Sequence, residues 1–190
     1  GSLTFHGCIP LVMGTRLEML VVGTPKGEVE ALWHWLCTEA GYLDSLLNRF
    51  DPQSAVSRLN AAASEGPVYA GSTIAELLRL SARYCSLTGG LFDIAKGGLG
   101  EVEVAIRDKV DLHGHRIDFG GFAKGYILQK LQDRMSRSGV GAAFVDFGGS
   151  SILAAGHHPF GDCWKVGVRN TFGDGILAEE ELRDQSLSTS

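Results

Sequence analysis

The segment IDFGGFAKGYILQKL, Ile117 to Leu131, carries the strongest structural signal in the sequence. An apolar stretch ends at Asp118, two glycines follow, and Lys124 and Gly125 stand where an amphipathic pattern begins. Glycine inside a helix costs roughly 1 kcal/mol relative to alanine, so these glycines are expected to serve another purpose. The segment predicts a strand that delivers Asp118 to a glycine-rich turn, followed by a helix from Gly121 to Ser138.

A turn of this kind is suited to bind an anion. Unpaired backbone N–H groups and the positive end of the helix dipole would point at the same place. Glycine lets a phosphate approach the main chain, and Lys124 can add positive charge. The stretch is neither a P-loop nor a full G-x-G-x-x-G dinucleotide motif. A solvated surface lysine and a helix-capping Asp118 remain the structural alternatives.

Composition limits the classes of protein to consider. The chain has 190 residues, of which 44% are hydrophobic, and its net charge is −5. These values predict one globular domain over residues 1–190. The sequence has no basic stretch of the kind that binds nucleic acid, so a nucleic-acid partner is not expected. It also has no apolar window long enough for a transmembrane helix. The four cysteines lack the spacing of a zinc site or a disulfide framework, which favours free, buried thiols.

The remaining sequence alternates between strand and helix patterns. One strand is predicted to end near Gly23, and further strands are predicted around 102–106 and 110–112 and within 142–156 and 163–170. Helices are predicted over 26–50 and 73–89, the second with a capping box from Thr73 to Glu76. The stretch DPQSAVSRLNAA between the two helices is interpreted as a loop, because Asp-Pro opens a turn. Together these elements predict an α+β fold with a mixed or antiparallel sheet and packed helices.

Four further motifs surround DFGGFAKGY: MGTRLEML, RFDPQSAVSRLN, TGGLFDI and VDFGGSSILAAG. Their order resembles that of the ApbE family of FAD:protein FMN transferases, and the resemblance runs from about Val12 to Ser190. SLSTS at the end resembles the start of the family's A-T-S-G motif. The resemblance implies a single domain with an ApbE-like, T-fold-like core.

The resemblance also implies which residues bind FAD: Met13, Phe50, Leu91, Phe92, Asp93, Asp118 and Lys124. Met13 and Phe50 would lie against the flavin or adenine ring, and Lys124 would lie near the pyrophosphate. Asp118 would hydrogen-bond the nucleotide, and the backbone carbonyl of Gly121 would contribute to a Mg²⁺ site. The residue types fit these roles, since aromatic rings stack on planar ligands and lysine offsets phosphate charge.

The reaction implied by the resemblance is a magnesium-dependent transfer. FAD is cleaved at its pyrophosphate, AMP leaves, and FMN is joined through a phosphoester bond to a threonine of an acceptor flavoprotein. The resemblance identifies no catalytic side chain in this sequence. The chain departs from the family at Asp146 and Ser150, where Asn and Asp are usual, and no counterpart of the family's C-terminal magnesium-binding Asp and Thr occurs up to Ser190. Three explanations are open: the sequence is a fragment, the missing part is supplied elsewhere, or the protein is a degenerate, non-catalytic FAD-binding module.

Other chemistries have weaker signals. His113 and His115 could share a face and bind a metal, but exposed turn histidines explain them as well. No G-x-S-x-G nucleophile motif and no D-x-x-[ST]-G-A-T acceptor signature occurs. Family members are often exported lipoproteins, whereas Cys8 follows no apolar segment and the unpaired cysteines fit a cytosolic form.

Overall fold

Four α-helices and ten antiparallel strands make up the fold in the computed structural model, which describes residues 3–170 and 174–189. The helices are α1 (Lys26–Leu47), α2 (Ala55–Ala61), α3 (Ser72–Leu87) and α4 (Ala123–Ser138). The strands are β1 (Thr4–Val12), β2 (Thr15–Val22), β3 (Val68–Tyr69), β4 (Glu103–Val104), β5 (Lys109–Asp111), β6 (Ala142–Phe147), β7 (Ser151–Gly156), β8 (Trp164–Arg169), β9 (Ile176–Leu182) and β10 (Gln185–Ser188). The predicted α+β class is confirmed.

The chain divides into two compact units. One comprises Gly1–Gly41 and Lys124–Ser190, and the other comprises Tyr42–Ala123. The single domain predicted for residues 1–190 stays a prediction. Among the described residues, no helix combines the length and apolar character needed to cross a bilayer.

Five strands of the first unit form one antiparallel sheet in the order β1-β2-β6-β7-β10. The alternation predicted near the N-terminus is present in β2, where Leu17, Met19 and Val21 are fully buried and the intervening side chains are more exposed. Successive side chains of a strand point to opposite faces, so a slip of one residue would expose all three. The apolar pattern therefore fixes the register of this sheet.

Helix α1 approaches the sheet closely at Gly7 of β1. A Cβ atom on Gly7 would lie 2.6 Å from the Trp33 ring, so only glycine allows this contact. Helix α4 is joined to α1 by an ion pair between Lys130 and Glu39. Burial acts to lower the pKa of Lys130, but the hydrogen bonds and charges of Glu39 and Tyr126 together outweigh burial and raise that pKa.

Strands β8 and β9 form a separate antiparallel ribbon in the first unit. Its side chains Trp164, Val166 and Leu182 share a hydrophobic cluster with Ile152 and Ala154 of β7. The ribbon therefore shares part of its apolar core with the five-stranded sheet. Strand β8 confirms the strand predicted within 163–170, whereas β9 was not predicted.

The second unit contains α2, α3 and a small sheet in the order β3-β5-β4. Its buried apolar side chains include Val56, Leu59, Ile74, Leu77, Leu78, Ile94, Leu112, Ile117 and Phe119. The helix predicted over 73–89 and the two short strands after it are confirmed within a few residues at their ends.

The loop predicted for DPQSAVSRLNAA is wrong, because α2 occupies Ala55–Ala61. Ser54 is its N-cap, and the Ser54 hydroxyl accepts a hydrogen bond of 3.1 Å from the backbone N–H of Ser57. Val56 and Leu59 are buried on one side of the helix. The serine cap was the signal in the sequence, and the preceding Asp-Pro turn obscured it.

The capping box predicted at Thr73 and Glu76 is also wrong. Helix α3 begins one residue earlier, at Ser72, and its N-cap is Gly71, which provides no side-chain hydrogen bond. The Thr73 hydroxyl lies 3.2 Å from the Tyr42 hydroxyl instead. A long-range contact therefore replaced the local one.

The strand predicted to deliver Asp118 is absent as well. Residues 112–122 form no strand, and α4 begins at Ala123 rather than at Gly121. Isolated hydrogen bonds hold the segment instead, such as the bond of 2.9 Å from the Asp118 N–H to the Ile94 carbonyl and the bond of 2.7 Å from the Gly114 N–H to the Ala63 carbonyl. Side chains add further bonds to this irregular segment.

Asn60 of α2 fixes the irregular segment at Ile117. The Asn60 amide nitrogen donates to the Ile117 carbonyl at 2.9 Å, and the Ile117 N–H donates to the Asn60 carbonyl oxygen at 2.8 Å. Asn60 is 7% exposed and Ile117 is 2% exposed, so both bonds are shielded from water. This two-bond amide clamp sets the position of Asp118.

Gly148, in the turn between β6 and β7, contacts Thr15 at the start of β2. A Cβ atom on Gly148 would lie 2.4 Å from the Thr15 Oγ1 atom, and the residue has φ +73°. The Gly148 N–H also donates to the Arg16 carbonyl at 2.8 Å. The MGT motif at residues 13–15 and the VDFGGSS segment at residues 145–151 are therefore in direct contact.

Replacing Asn60 with alanine is expected to destabilise the protein by about 2 kcal/mol or more, because it leaves the buried N–H and C=O of Ile117 without partners. Chemical denaturation followed by circular dichroism measures this change. Gln53→Ala, at an exposed position, is the control and should leave the unfolding midpoint unchanged. Equal midpoints for both variants would contradict the clamp.

Gly148→Ala is expected to destabilise the protein more than Gly149→Ala. Both residues have a positive φ, at a cost of about 1–2 kcal/mol for alanine, but only Gly148 has a neighbour within 4 Å of the added Cβ. Thr15→Ala removes the clashing atoms, so it should reduce the extra cost of Gly148→Ala. The double-mutant cycle is measured by thermal unfolding, and additivity would show that Thr15 and Gly148 are uncoupled.

Candidate functional site

The residues that the sequence assigned to FAD occur in both units. Met13 and Lys124 belong to the first unit, and the second contains Phe50, Leu91, Phe92, Asp93, Asp118 and the proposed metal ligand Gly121. The two groups are described separately below.

Asp118 is oriented by two contacts within the second unit. Its Oδ1 atom accepts a hydrogen bond of 2.9 Å from the Gly120 N–H, and its Oδ2 atom lies 3.3 Å from the Arg49 Nε atom. The first residue of α4, Ala123, donates its N–H to the Phe119 carbonyl instead. The helix-capping alternative for Asp118 is therefore wrong, since its carboxylate closes a local turn and pairs with an arginine.

Phe50 presents an aromatic ring at the surface, with a side chain that is 81% exposed. The guanidinium carbon of Arg49 lies 4.5 Å from the ring centroid, which is a cation–π distance. Sequence analysis assigned Phe50 but missed Arg49. The only signal for Arg49 in the sequence was its position next to the aromatic residue.

Asp93 organises the loop that follows TGGLF. Its Oδ1 atom accepts from the Ala95 N–H at 2.6 Å, and its Oδ2 atom accepts from the N–H groups of Gly97 and Leu99 at 2.8 and 3.3 Å. Three backbone donors therefore satisfy this carboxylate within its own loop. Contact between Asp93 and a dinucleotide stays a prediction.

Phe92 belongs to an aromatic group with Phe122 and Tyr84. The Phe122 ring centroid lies 5.7 Å from that of Phe92 and 5.7 Å from that of Tyr84. Leu91 beside them is 94% exposed. The sequence predicted Phe92 and Leu91, but the contribution of Tyr84 and Phe122 depends on tertiary contacts.

Gly121 and Gly125, in the DFGGFAKGY segment, have no structural requirement for glycine. Neither residue has a positive φ, and a Cβ atom on either would have no neighbour within 4 Å. Glycine therefore serves neither the backbone conformation nor the packing at these positions. The space around the main chain is open at both positions.

Met13, in the first unit, occupies a two-residue turn with Gly14 between β1 and β2. Both residues have positive φ, +53° and +75°, which matches the tight hairpin turn favoured between antiparallel strands. A positive φ is uncommon for methionine, and such conformations concentrate at functional sites. The Met13 side chain is half-buried at this turn.

Lys124 is half-buried rather than fully solvated, which disfavours the surface-lysine alternative. Its Nζ atom lies 5.9 Å from the Phe147 ring centroid, at the end of β6. The next residues of the chain, Gly148 and Gly149, line a cleft of about 990 Å³ that also includes Thr15 and Arg169. The cation thus lies beside the last residue before this glycine turn.

Asp146, where the family usually has Asn, supports the same turn. Its Oδ1 atom accepts a hydrogen bond of 2.6 Å from the Gly149 N–H. Ser150, the second departure, accepts the Thr189 N–H through its backbone carbonyl at 2.8 Å. Both residues therefore make contacts that hold the turn, whatever their effect on a ligand.

The histidines considered as metal ligands lie beside carboxylate side chains. The His115 Nε2 atom lies 3.0 Å from a Glu101 carboxylate oxygen, and this hydrogen bond lowers the pKa of Glu101. His113 lies within 4 Å of the carboxylates of Asp111 and Glu103. Across residues 3–170 and 174–189, no three His, Cys, Asp or Glu side chains are grouped closely enough to hold a metal ion.

The thiols also differ in part from expectation. All four cysteines are free, but Cys8 is exposed and the other three are partly buried. The prediction of buried thiols is therefore wrong for Cys8, which lies on strand β1 at the edge of the sheet.

Curated relatives align over most of this chain. It is 26% identical over 228 aligned residues to an FAD:protein FMN transferase from Treponema pallidum, covering 95% of this chain and 62% of the relative. It is 22% identical to an FAD:protein FMN transferase from Klebsiella pneumoniae, covering 94% of this chain and 61% of the relative. The chain thus spans about three fifths of the length of these relatives.

Solved structures share the fold. The ApbE protein from Thermotoga maritima superposes with a TM-score of 0.81 at 19% identity, covering 97% of this chain and 69% of that protein. The flavin transferase ApbE from Vibrio cholerae superposes with a TM-score of 0.78 at 15% identity, covering 98% and 70%. The predicted ApbE-like fold is confirmed.

The ApbE family profile matches residues 13–109 and 98–190, which together include all the motifs that suggested the resemblance. This chain belongs to the ApbE family.

Proposed function

We propose that this protein is an FAD:protein FMN transferase. The observation that carries the proposal is the open approach to the main chain at Gly121 and Gly125, inside the family's DFGGFAKGY motif. Gly41 of α1 is equally free of neighbours, so it is the place of Gly121 and Gly125 in the family's motif, at the start of α4, that favours a ligand in close contact with the backbone. The curated relatives named as FAD:protein FMN transferases support the same activity.

In the proposed complex, FAD is bound by the residues assigned from the sequence: Met13, Phe50, Leu91, Phe92, Asp93, Asp118 and Lys124. The exposed ring of Phe50 and the strained turn at Met13 support contact with the planar rings of the ligand. Lys124 offsets phosphate charge, since it is a half-buried cation at the first turn of α4.

The proposed reaction is a phosphoryl-type transfer. The threonine oxygen of the acceptor flavoprotein forms a bond to the phosphorus of the FMN moiety, and the bond from that phosphorus to the bridging oxygen breaks. AMP leaves with that oxygen, and the threonine proton is released. Positioning and charge stabilisation supply most of the catalysis in such reactions, which fits a site without an assigned catalytic side chain.

Magnesium dependence is part of the proposal, with the Gly121 carbonyl as one ligand. Mg²⁺ requires six oxygen ligands in near-octahedral geometry and usually keeps several waters. Gly121 is exposed, but the described residues group no three carboxylate, histidine or cysteine side chains. Waters and the phosphate groups of the ligand would supply further oxygen ligands, and we assign no step of the reaction to the metal.

Transfer activity is tested directly with purified protein, FAD, Mg²⁺ and a peptide that carries the acceptor threonine. We expect release of AMP and an increase in peptide mass equal to FMN less water, detected by chromatography and mass spectrometry. The same peptide with valine in place of the threonine is the control. FAD binding without AMP release would instead identify a non-catalytic FAD-binding module, and absence of FAD binding would refute both.

Gly125→Ala separates ligand approach from folding. Because Gly125 is an exposed residue inside α4, alanine is expected to stabilise the protein by about 0.5–1 kcal/mol. If FAD contacts the backbone there, the added methyl group should weaken FAD binding by roughly tenfold, as overpacking costs about 1–3 kcal/mol. Thermal unfolding and quenching of flavin fluorescence measure the two effects.

Gly41→Ala is the matched control for this experiment. Gly41 is an exposed glycine inside α1 with no neighbour within 4 Å of an added Cβ. Its replacement should give the same gain in stability and leave FAD affinity unchanged. If Gly125→Ala bound FAD as tightly as the Gly41 variant does, the ligand would not approach the backbone at Gly125.

A further inference from the structure

Arg49 is an exposed cation whose orientation is fixed on two sides. Its Nε atom lies 3.3 Å from the Asp118 Oδ2 atom, and the face of its guanidinium covers the Phe50 ring at 4.5 Å. The Arg49 side chain is nevertheless 54% exposed. Neither Nη group makes a hydrogen bond within the described part of the chain, so both retain donors for a ligand.

The turn that carries Arg49 is held by its own hydrogen bonds. The Phe50 N–H donates to the Asn48 side-chain oxygen at 3.0 Å, and the Asp51 N–H donates to the Asn48 carbonyl at 3.1 Å. The Gln53 N–H then donates to the Asp51 Oδ1 atom at 2.8 Å. Arg49 therefore projects from an ordered turn between α1 and α2.

Asp118, on the other side of the pair, is equally constrained. The Gly120 N–H holds its Oδ1 atom, and the buried clamp between Asn60 and Ile117 holds the neighbouring backbone. Exposed ion pairs contribute little to folding, so stability does not explain this arrangement. The pair instead presents a guanidinium in one fixed orientation.

The available atoms define the ligand chemistry. With Nε engaged by a carboxylate, the two Nη groups form the part of the planar fork that binds phosphate oxygens. The exposed Phe50 ring beside it can stack on a planar heterocycle. A phosphate next to an aromatic ring system is the combination found in FAD.

We propose that Arg49 binds a phosphate of FAD and that Asp118 is the positioning residue that orients its guanidinium. This inference rests on the proposed function, and it assigns a residue that family resemblance left without a role. It also changes the role expected for Asp118, because both carboxylate oxygens already have partners within the protein.

The test compares ligands that differ in phosphate content. Arg49→Gln is expected to weaken binding of FAD and of ADP by about tenfold to hundredfold, because charge-assisted hydrogen bonds to phosphate are lost. Riboflavin has no phosphate, so it loses no interaction with Arg49 in this variant. Its affinity should change by no more than about twofold, because a tenfold change requires the loss of about 1.4 kcal/mol. Isothermal titration calorimetry measures all three affinities.

Arg79→Gln is the matched control. Arg79 belongs to the same unit, is also 54% exposed, and pairs with Asp108 at 3.6 Å. The Arg79→Gln substitution removes the same charge from a comparable ion pair. Because Arg79 has no assigned contact with the ligand, this variant should bind FAD and ADP with unchanged affinity. Equal losses in both variants would indicate a general electrostatic effect and would overturn the assignment of Arg49.

Two further variants test the positioning role of Asp118. Asp118→Asn should weaken FAD binding less than Arg49→Gln, and it should have little further effect in the Arg49→Gln background, because it acts through the arginine. Arg49→Lys keeps the charge but loses the planar fork, so it should restore only part of the affinity. Full additivity of Asp118→Asn and Arg49→Gln would contradict the positioning role.

The failures of the two proposals are distinguishable. If the parent protein binds FAD and Arg49→Gln binds it equally well, the role of Arg49 is refuted while FAD binding stands. If Arg49→Gln weakens riboflavin as much as FAD, Arg49 does not act on phosphate. If the parent binds no FAD, both the proposed function and this inference are refuted.

Discussion

The two hydrogen bonds between the Asn60 side chain and the Ile117 backbone are the constraint on which the candidate site depends. They connect α2 to an irregular segment that no sheet supports, and burial protects them from competition by water. Asp118, the next residue, inherits its position from this clamp. Two residues of the RFDPQSAVSRLN motif therefore have structural roles. Ser54 caps α2, and Asn60 connects α2 to the segment that carries the DFGGFAKGY motif.

A few hydrogen bonds and close contacts also hold the loops of the other motifs. Asp93 holds its loop through three backbone N–H groups, Gly148 allows Thr15 to lie against the β6–β7 turn, and Asp146 closes that turn. Several motif residues thus hold loops in place. The exposed Phe50 ring and the Nη groups of Arg49, which make no hydrogen bond within the described part of the chain, are the groups for which we propose binding to FAD. Loops that carry function need such fixed supports because they lack the regular hydrogen bonding of helices and strands.

Local patterns predicted the elements whose stability is local or periodic. The alternation of Leu17, Met19 and Val21 predicted β2, and the apolar repeat after Lys26 predicted α1. The residues of β9 gave no such signal, because its glutamates at 179, 180 and 181 hide the alternation. Two of them, Glu179 and Glu181, lie 3.4 and 3.8 Å from Lys165 of the partner strand, a pairing that single-segment patterns do not contain. The capping box at Thr73 failed for the same reason, since Tyr42 is distant in sequence.

The sequence by itself determined the fold class, the family and most of the candidate ligand-binding residues, because motif order and apolar periodicity are properties of the chain alone. Tertiary structure decided what those residues do in the folded protein. Whether Asp118 caps a helix or orients Arg49, and whether Gly125 serves packing or access, depends on which atoms lie nearby in space. Side-chain contacts between distant segments determine those neighbours, and no local pattern encodes them.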